Sequence, residues 1–134
     1  LHARELRLAE REATLNAILE PTVSLTRLTV DGTDKPVVQL FWNHRSNVSL
    51  VHVFNLRPAA DRRVYQLWFI PKGGAPIPSI TFNTEPSGHG MVERVPVPAG
   101  VELVAAAVTD EPAGGSPQPT TTPLVVGSFA PVKS

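Results

Sequence analysis

The imidazole side chain is the most versatile reactive group in this sequence of 134 residues. It occurs four times, at His2, His44, His52 and His89. No two of these histidines have the i, i+4 spacing or the short clustering that is typical of metal ligands. His52 alternates with apolar neighbours, which favours a hydrogen-bonded and partly buried side chain, and no pattern requires His44 to approach it. The sequence therefore predicts no metal site.

Nucleophiles and paired acids are also poorly placed for catalysis. The sequence has no cysteine, which excludes thiol catalysis, disulfides and cysteine-bound zinc. It has no Gly-x-Ser-x-Gly elbow. Asp110 and Glu111 are adjacent, so on a strand they would point to opposite faces, whereas glycosidase chemistry needs two carboxyl groups facing across a cleft. We expect that the protein is not an enzyme and that it uses no cofactor.

The charge pattern excludes another class of function. Twelve basic residues balance twelve acidic ones, and Arg62-Arg63 is too short to be a basic patch, so we expect no nucleic-acid partner. The sequence contains no apolar run long enough to span a membrane and no signal-peptide pattern. Because it begins at Leu1 and not at methionine, we interpret it as an excised or processed piece, so a transmembrane segment could lie just upstream.

The elements that position these side chains fall into two parts, residues 1–21 and 22–134. Residues 3–20 are rich in Ala, Leu, Glu and Arg and contain no Gly or Pro before Pro21, which predicts a helix. One stripe of this helix is apolar: Leu8, Leu15, Ile18 and Leu19. Two interpretations stay open, because the stripe suits packing on the following domain and also suits a membrane-proximal stalk or a self-associating helix pair.

From Thr22 onward, apolar residues alternate with polar ones, and Gly, Pro, Asn and Asp interrupt the pattern regularly. This predicts about eight strands, over 22–30, 37–42, 48–54, 64–70, 77–83, 89–95, 101–109 and 124–129. Short strands of this kind form an antiparallel sandwich or barrel, and we predict an all-β antiparallel β-sandwich preceded by the one helix. Strands 64–70 and 101–109 are apolar on both faces, which places them centrally. The fifth strand is expected to pair with the sixth.

The segment 111–120 is the most unusual connection. Its adjacent glycines do not suit a phosphate cradle, because a strand follows and no lysine is near. Prolines preset the backbone and glycines permit positive φ, so the segment predicts a rigid loop. A loop that contacts a partner is the alternative.

Two patterns in these segments make the sequence resemble the C-terminal domain of the anti-sigma-K factor (RskA) family. The first is Tyr-x-Leu-Trp in the fourth strand; the second is Glu-Pro-Ala-Gly-Gly-Ser, followed by Pro-Thr. A departure is Ile80-Thr81-Phe82, where many relatives have a small residue and glycine. The residues that match the motifs, expected to be structural, are Tyr65, Leu67, Trp68, Glu111, Pro112, Ala113, Gly114, Gly115, Ser116, Pro119 and Thr120.

The resemblance implies a regulatory domain on the extracytoplasmic face of a bacterial membrane, anchored by an upstream transmembrane helix. A cytoplasmic segment outside this sequence would bind the alternative sigma factor, and a regulatory protease would release it. The alternative from the residues is an extracytoplasmic module that binds a ligand or an envelope polymer, with Trp42 or Tyr65 as a stacking platform. An adhesive or structural domain is a third possibility, because a fold does not fix a function.

Overall fold

The computed structural model describes residues 22–30, 33 and 35–129. The predicted helix over 3–20 lies outside the described residues, as do its expected roles as a stalk or a self-association element. No helix within the part of the chain that the structure describes has the length and apolarity to cross a membrane.

Eight strands make up the described part, which confirms the predicted all-β class and strand number. Each begins and ends within three residues of the position that the alternation of apolar and polar residues predicts. The largest difference is at the end of the seventh strand, which continues to Pro112, so Glu111 and Pro112 belong to this strand and not to the predicted loop. Their bounds are β1 Val23–Val30, β2 Pro36–Asn43, β3 Val48–Val53, β4 Arg63–Pro71, β5 Ile77–Phe82, β6 Gly90–Pro96, β7 Leu103–Pro112 and β8 Val125–Ser128.

The strands form one continuous sheet in the order β5-β4-β7-β8-β1-β2-β3-β6, with antiparallel neighbours throughout. This sheet curls until its edge strands β5 and β6 lie near each other, so the fold is close to a barrel. The predicted sandwich of two sheets was therefore wrong. The alternation of apolar and polar residues shows that one face of each strand is covered. It does not show whether a second sheet or the inside of a single curled sheet covers that face.

The predicted pairing of the fifth and sixth strands was also wrong, because β5 pairs with β4 and β6 pairs with β3. Both edge strands are irregular. Ser79 and Ile80 together oppose Leu67, and Glu93 and Arg94 together oppose Leu50. Bulges of this kind, with a proline in each edge strand, discourage ladder pairing and explain why the sheet does not close.

The core fills the inside of the curled sheet. The central position predicted for the fourth and seventh strands is confirmed, since β4 and β7 pair with each other and each has a second neighbour. Leu67 and Phe69 on β4 face Val108 and Ala106 on β7, and all four are fully buried. Inward residues of the other strands complete this core: Leu28, Val37, Val38, Leu40, Val51, Val53, Phe82, Val95 and Val125.

Candidate functional site

The outer face of β4 and β7 carries a buried polar cluster, although side chains on the outer face of a sheet are usually exposed to solvent. Along β4 the side chains alternate, so Leu67 points into the core while Gln66 and Trp68 point outward. Trp68 is nevertheless fully buried, as are the outward Thr109 and Glu111 of β7. The cover over this face includes the connection from β7 to β8, residues 113–124, which we call the Glu111 loop.

A chain of hydrogen bonds connects the indole of Trp68 to a buried carboxylate. Trp68 Nε1 donates to Thr109 Oγ1 at 2.7 Å, and Thr109 Oγ1 in turn donates to Glu111 Oε2 at 2.6 Å. Thr109 and Glu111 are two residues apart on one strand, so both side chains lie on the same face. The threonine hydroxyl therefore uses its acceptor and its donor capacity together.

The Glu111 loop supplies the other ligands of this carboxylate. Ser116 Oγ donates to Glu111 Oε1 at 2.8 Å, and Thr120 Oγ1 donates to the same oxygen at 2.6 Å. The backbone N–H of Thr120 is shared between Oε1 at 3.2 Å and Oε2 at 3.1 Å. Three hydroxyl groups and one amide thus hold Glu111, and neither ion pair found in the described residues involves it.

These donors decide the charge of Glu111. Burial of the carboxylate opposes ionisation, but the hydrogen bonds from Thr109, Thr120 and Ser116 outweigh it and lower the pKa of Glu111 from 4.5 to about 2. Hydrogen bonds to the charged form have this effect on carboxylates generally. At neutral pH the cluster therefore contains an ionised carboxylate sealed from solvent. Such a group holds the Glu111 loop on the sheet and has no open side toward a substrate.

A second pair of hydrogen bonds fixes the start of the loop. Ser116 N donates to Gln66 Oε1 at 2.8 Å, and Gln66 Nε2 donates to the carbonyl of Ser116 at 3.0 Å. The backbone of Gly114 and Gly115 has φ values of +94° and +81°, which confirms the positive φ predicted for this loop. A Cβ on Gly115 would lie 3.1 Å from Gln66 Oε1 and 2.9 Å from the methyl group of Thr81. Only glycine fits between the loop and the sheet.

The remaining motif residues lie around this cluster. Tyr65 is in the core, and its hydroxyl donates to the carbonyl of Arg57. Pro112 ends β7 and accepts from Gly115 N at 2.9 Å, while Ala113 N donates to the carbonyl of Arg62 at 2.9 Å. Pro119 is half-buried beside Thr120. Of the motif residues, the structure brings Trp68, Glu111, Ser116 and Thr120 into the hydrogen-bonded cluster.

Thr109 and Gln66 also belong to the cluster, although neither is among the residues that the motifs specify. Thr109 connects Trp68 to Glu111, and Gln66 binds the backbone of Ser116 at both its N–H and its carbonyl. Each lies two residues before a motif residue on the same strand. The period of two was therefore the signal in the sequence that could have identified both.

The two aromatic residues considered as stacking platforms are engaged elsewhere. Trp42 stacks on His44 at 4.0 Å between ring centroids, and its Nε1 donates to Asn47 Oδ1 at 3.1 Å. The buried ring of Tyr65 lies 5.8 Å from that of Phe82. His44 thus occupies one face of Trp42, Phe129 lies edge-on with 5.2 Å between ring centroids, and the ring of Tyr65 is enclosed in the core.

The three histidines in the described residues have different partners. His44 does not approach His52; it makes a hydrogen bond of 2.8 Å with Ser24 Oγ, and burial lowers the pKa of its imidazole. His52 is half-buried, as predicted, and its partner is His89, with 3.2 Å between the two Nε2 atoms.

A family model described as anti-sigma-K factor rskA, C-terminal, matches residues 3–124. The chain belongs to the RskA C-terminal family. The match extends through β7 and to the end of the Glu111 loop, so the whole buried cluster of this RskA C-terminal domain lies within it. Membership identifies the chain with a domain of anti-sigma factors, the proteins whose partners are sigma factors. No curated protein and no solved structure matches the chain.

Proposed function

We propose that this chain is the extracytoplasmic regulatory domain of a membrane-anchored anti-sigma factor. The observation that supports this best is the family match over residues 3–124. In this proposal an upstream transmembrane helix anchors the domain, and a cytoplasmic segment of the same protein binds the sigma factor. A regulatory protease then ends the inhibition by cutting the anchored protein.

The domain has no catalytic part in this proposal. The family-motif residues serve to fold it: Glu111 is ionised but sealed, and its hydrogen bonds attach the Glu111 loop to the sheet. A rigid domain of this kind is suited to limiting the access of the protease for as long as the domain stays folded.

The position of β1 supplies a mechanism for that role. Residues 1–21 precede β1 in the sequence. Strand β1 pairs with β2 along its length, from Val23 opposite Asn43 to Thr29 opposite Pro36, and it pairs with β8 at Thr29 and Val30. A protease generally needs its substrate in an extended, unpaired form. Near Val23 the only ladder partner among the described strands is β2, whereas β8 holds the far end of the strand at Thr29 and Val30, so the chain at Val23 becomes available when the β1–β2 ladder opens from that end. The folded domain would thereby limit cleavage at its membrane-proximal end.

Cleavage of the full-length protein in membranes tests this proposal. The rate of proteolysis just before β1 should rise when the domain is destabilised by Glu111→Gln, and should stay at the wild-type rate for Glu102→Gln, which changes an exposed glutamate on the same domain. Equal cleavage rates for the wild type, Glu111→Gln and a form that lacks residues 22–134 would contradict the proposal that the folded domain limits cleavage.

A binding module is the second candidate, and one feature favours it. The seam between β5 and β6 contains an apolar opening of about 340 Å³, within the range of small-ligand sites. Its lining consists of Phe69, Pro78, Ser79, Ile80, Pro96, Val97 and Pro98. A thermal-shift screen against envelope lipids and polymers tests it: a rise in Tm that Ile80→Glu abolishes supports a ligand in the seam, and an unchanged Tm with all of them rejects it.

A further inference from the structure

Two histidines that are far apart in the sequence meet on the surface near the edge of the sheet. His52 lies on β3 and His89 immediately precedes β6. Their Nε2 atoms are 3.2 Å apart, and their ring centroids are separated by 4.7 Å with the planes at 61°. One Nε2–H donates to the other Nε2 in this arrangement. Neither residue takes part in the Glu111 cluster.

The backbone holds both histidines in place. His52 is the ladder partner of Met91, so β3 and β6 are in register beside the pair. The carbonyl of His89 accepts from Glu85 N at 2.8 Å, and the carbonyl of Gly88 accepts from Leu56 N at 3.0 Å. The turn that carries His89 is thus bound to the chain that follows β3. Little rearrangement is needed to keep the two imidazoles together, and preorganisation of this kind favours ligand binding.

The separation of the two nitrogens matches that of neighbouring ligands on one metal ion. A Zn–N bond is about 2.0–2.1 Å long, so two imidazole nitrogens at a tetrahedral angle lie about 3.3 Å apart. We propose that His52 and His89 form a two-imidazole site for a divalent first-row transition metal ion, of the class of Zn²⁺, Cu²⁺ and Ni²⁺. Imidazole suits these ions, whereas Ca²⁺ and Mg²⁺ prefer oxygen ligands.

Binding requires a change of tautomer in one of the two rings. Both rings must offer the Nε2 lone pair to the ion, so the ring that carries its hydrogen on Nε2 takes the tautomer with hydrogen on Nδ1. Among the residues that the structure describes, His, Cys, Asp and Glu do not form a group of three that could hold an ion. Water completes the coordination in our proposal, so the ion exchanges readily.

The bound ion would connect β3 with the turn between β5 and β6. That turn leads into β6, an edge strand with a neighbour only on the β3 side. The ion therefore adds a link at the side of the sheet where the ladder ends. This inference does not depend on the proposed anti-sigma function, since it concerns the His52–His89 pair alone.

Zn²⁺ titration of the tag-free protein tests the site. Isothermal calorimetry should give one ion per chain, and His52→Asn and His89→Asn should each weaken binding at least about tenfold. Tm should rise by about 5 °C at a tenfold excess of Zn²⁺ over Kd and return to its starting value with a chelator. Three variants are controls that should bind as the wild type does: His2→Asn, His44→Asn and Met91→Leu.

A second measurement avoids dependence on the variants. Substoichiometric Cu²⁺, which is paramagnetic, should broaden the imidazole NMR signals of His52 and His89 in the wild-type protein before those of His44. Equal broadening of all imidazoles, or Zn²⁺ affinity that survives the double substitution of His52 and His89, would overturn the proposal. Loss of binding in His2→Asn instead would assign the ion to the N-terminus and would overturn it too.

Discussion

Trp68 on β4 and Glu111 on β7 are connected through one hydroxyl group, that of Thr109, by hydrogen bonds of 2.7 and 2.6 Å. The connection runs along the outside of the curled sheet, where all three side chains are buried. It joins the central pair of strands to the Glu111 loop, because Ser116 and Thr120 bind the same carboxylate. The two family motifs, one in β4 and one that begins in the last two residues of β7, therefore meet in one hydrogen-bonded cluster.

Glu111→Gln should destabilise the domain strongly for a substitution that preserves shape. The amide removes the charge from a group that accepts from three hydroxyls and one backbone N–H. Hydrogen bonds to charged groups contribute more than neutral ones, so the free energy of unfolding should fall by about 2–3 kcal/mol. Urea unfolding followed by circular dichroism measures this change.

Glu102→Gln is the matched control for this substitution. Glu102 is 69% exposed, and its oxygen lies 3.6 Å from Lys72 Nζ in a surface ion pair. Such pairs contribute little, so the free energy of unfolding should stay within about 0.5 kcal/mol of the wild-type value. An equal loss in both variants would contradict a special role for the buried carboxylate.

The stability of the domain should depend on the ionisation of Glu111 in acid. Its pKa is about 2 in the folded protein against 4.5 as the ordinary value, so the unfolded chain takes up a proton first as the pH falls. The stabilisation is complete above about pH 5 and is lost progressively as the pH falls from about 4.5 to about 2. Urea midpoints measured across this range should therefore converge for the wild type and Glu111→Gln, and a constant separation would contradict the assignment.

The two glycines of the Glu111 loop should respond differently to alanine. Both have positive φ, so Gly114→Ala, which places its Cβ in open space, should cost about 1 kcal/mol of unfolding free energy through backbone strain alone. Gly115→Ala adds a clash with Gln66 and Thr81 and should cost about 2–3 kcal/mol. Thermal unfolding of the two variants measures the difference, and equal costs would show that the loop moves away from the sheet without penalty.

The strands were predictable from the sequence because their physical signal is local. Two-sided apolarity over residues 64–70 reflects a strand that is covered on both faces, and the structure places this strand, β4, between β5 and β7. The way the sheet curls without closing was not predictable, because the bulges opposite Leu50 and Leu67 depend on contacts between strands. A sandwich and a curled sheet share the same alternation along each strand.

The candidate site was predictable only in part, for a similar reason. The residue types of the Glu111 loop indicated a rigid turn with positive φ, and that was confirmed at Gly114 and Gly115. The burial of Glu111 was not predictable, because a glutamate in a sequence normally indicates exposure. Its donors come from β7 itself and from positions five and nine residues farther along the chain, and only the fold brings them together. His52 and His89 likewise meet across 37 residues.

Thr109→Val tests the connection from which the cluster is built. The substitution keeps the side-chain shape but removes the hydroxyl, so Trp68 Nε1–H loses its acceptor and Glu111 loses one donor in a buried place. Two unsatisfied groups should lower the free energy of unfolding by about 2–4 kcal/mol. Removal of the donor should also raise the pKa of Glu111, so acid unfolding should begin at a higher pH than in the wild type.

A double-mutant cycle separates the connection from simple loss of packing. Trp68→Phe removes the indole N–H, so Thr109→Val made in that background leaves one unsatisfied group where it otherwise leaves two. The second substitution should therefore cost about 1 kcal/mol less than it does in the wild type, as urea unfolding measures. Thr121→Val, which removes an exposed hydroxyl bonded to the carbonyl of Asp110, should change stability by less than about 1 kcal/mol. Strict additivity of the Trp68 and Thr109 substitutions would mean that the 2.7 Å contact contributes nothing, because each side chain would then act through its packing alone.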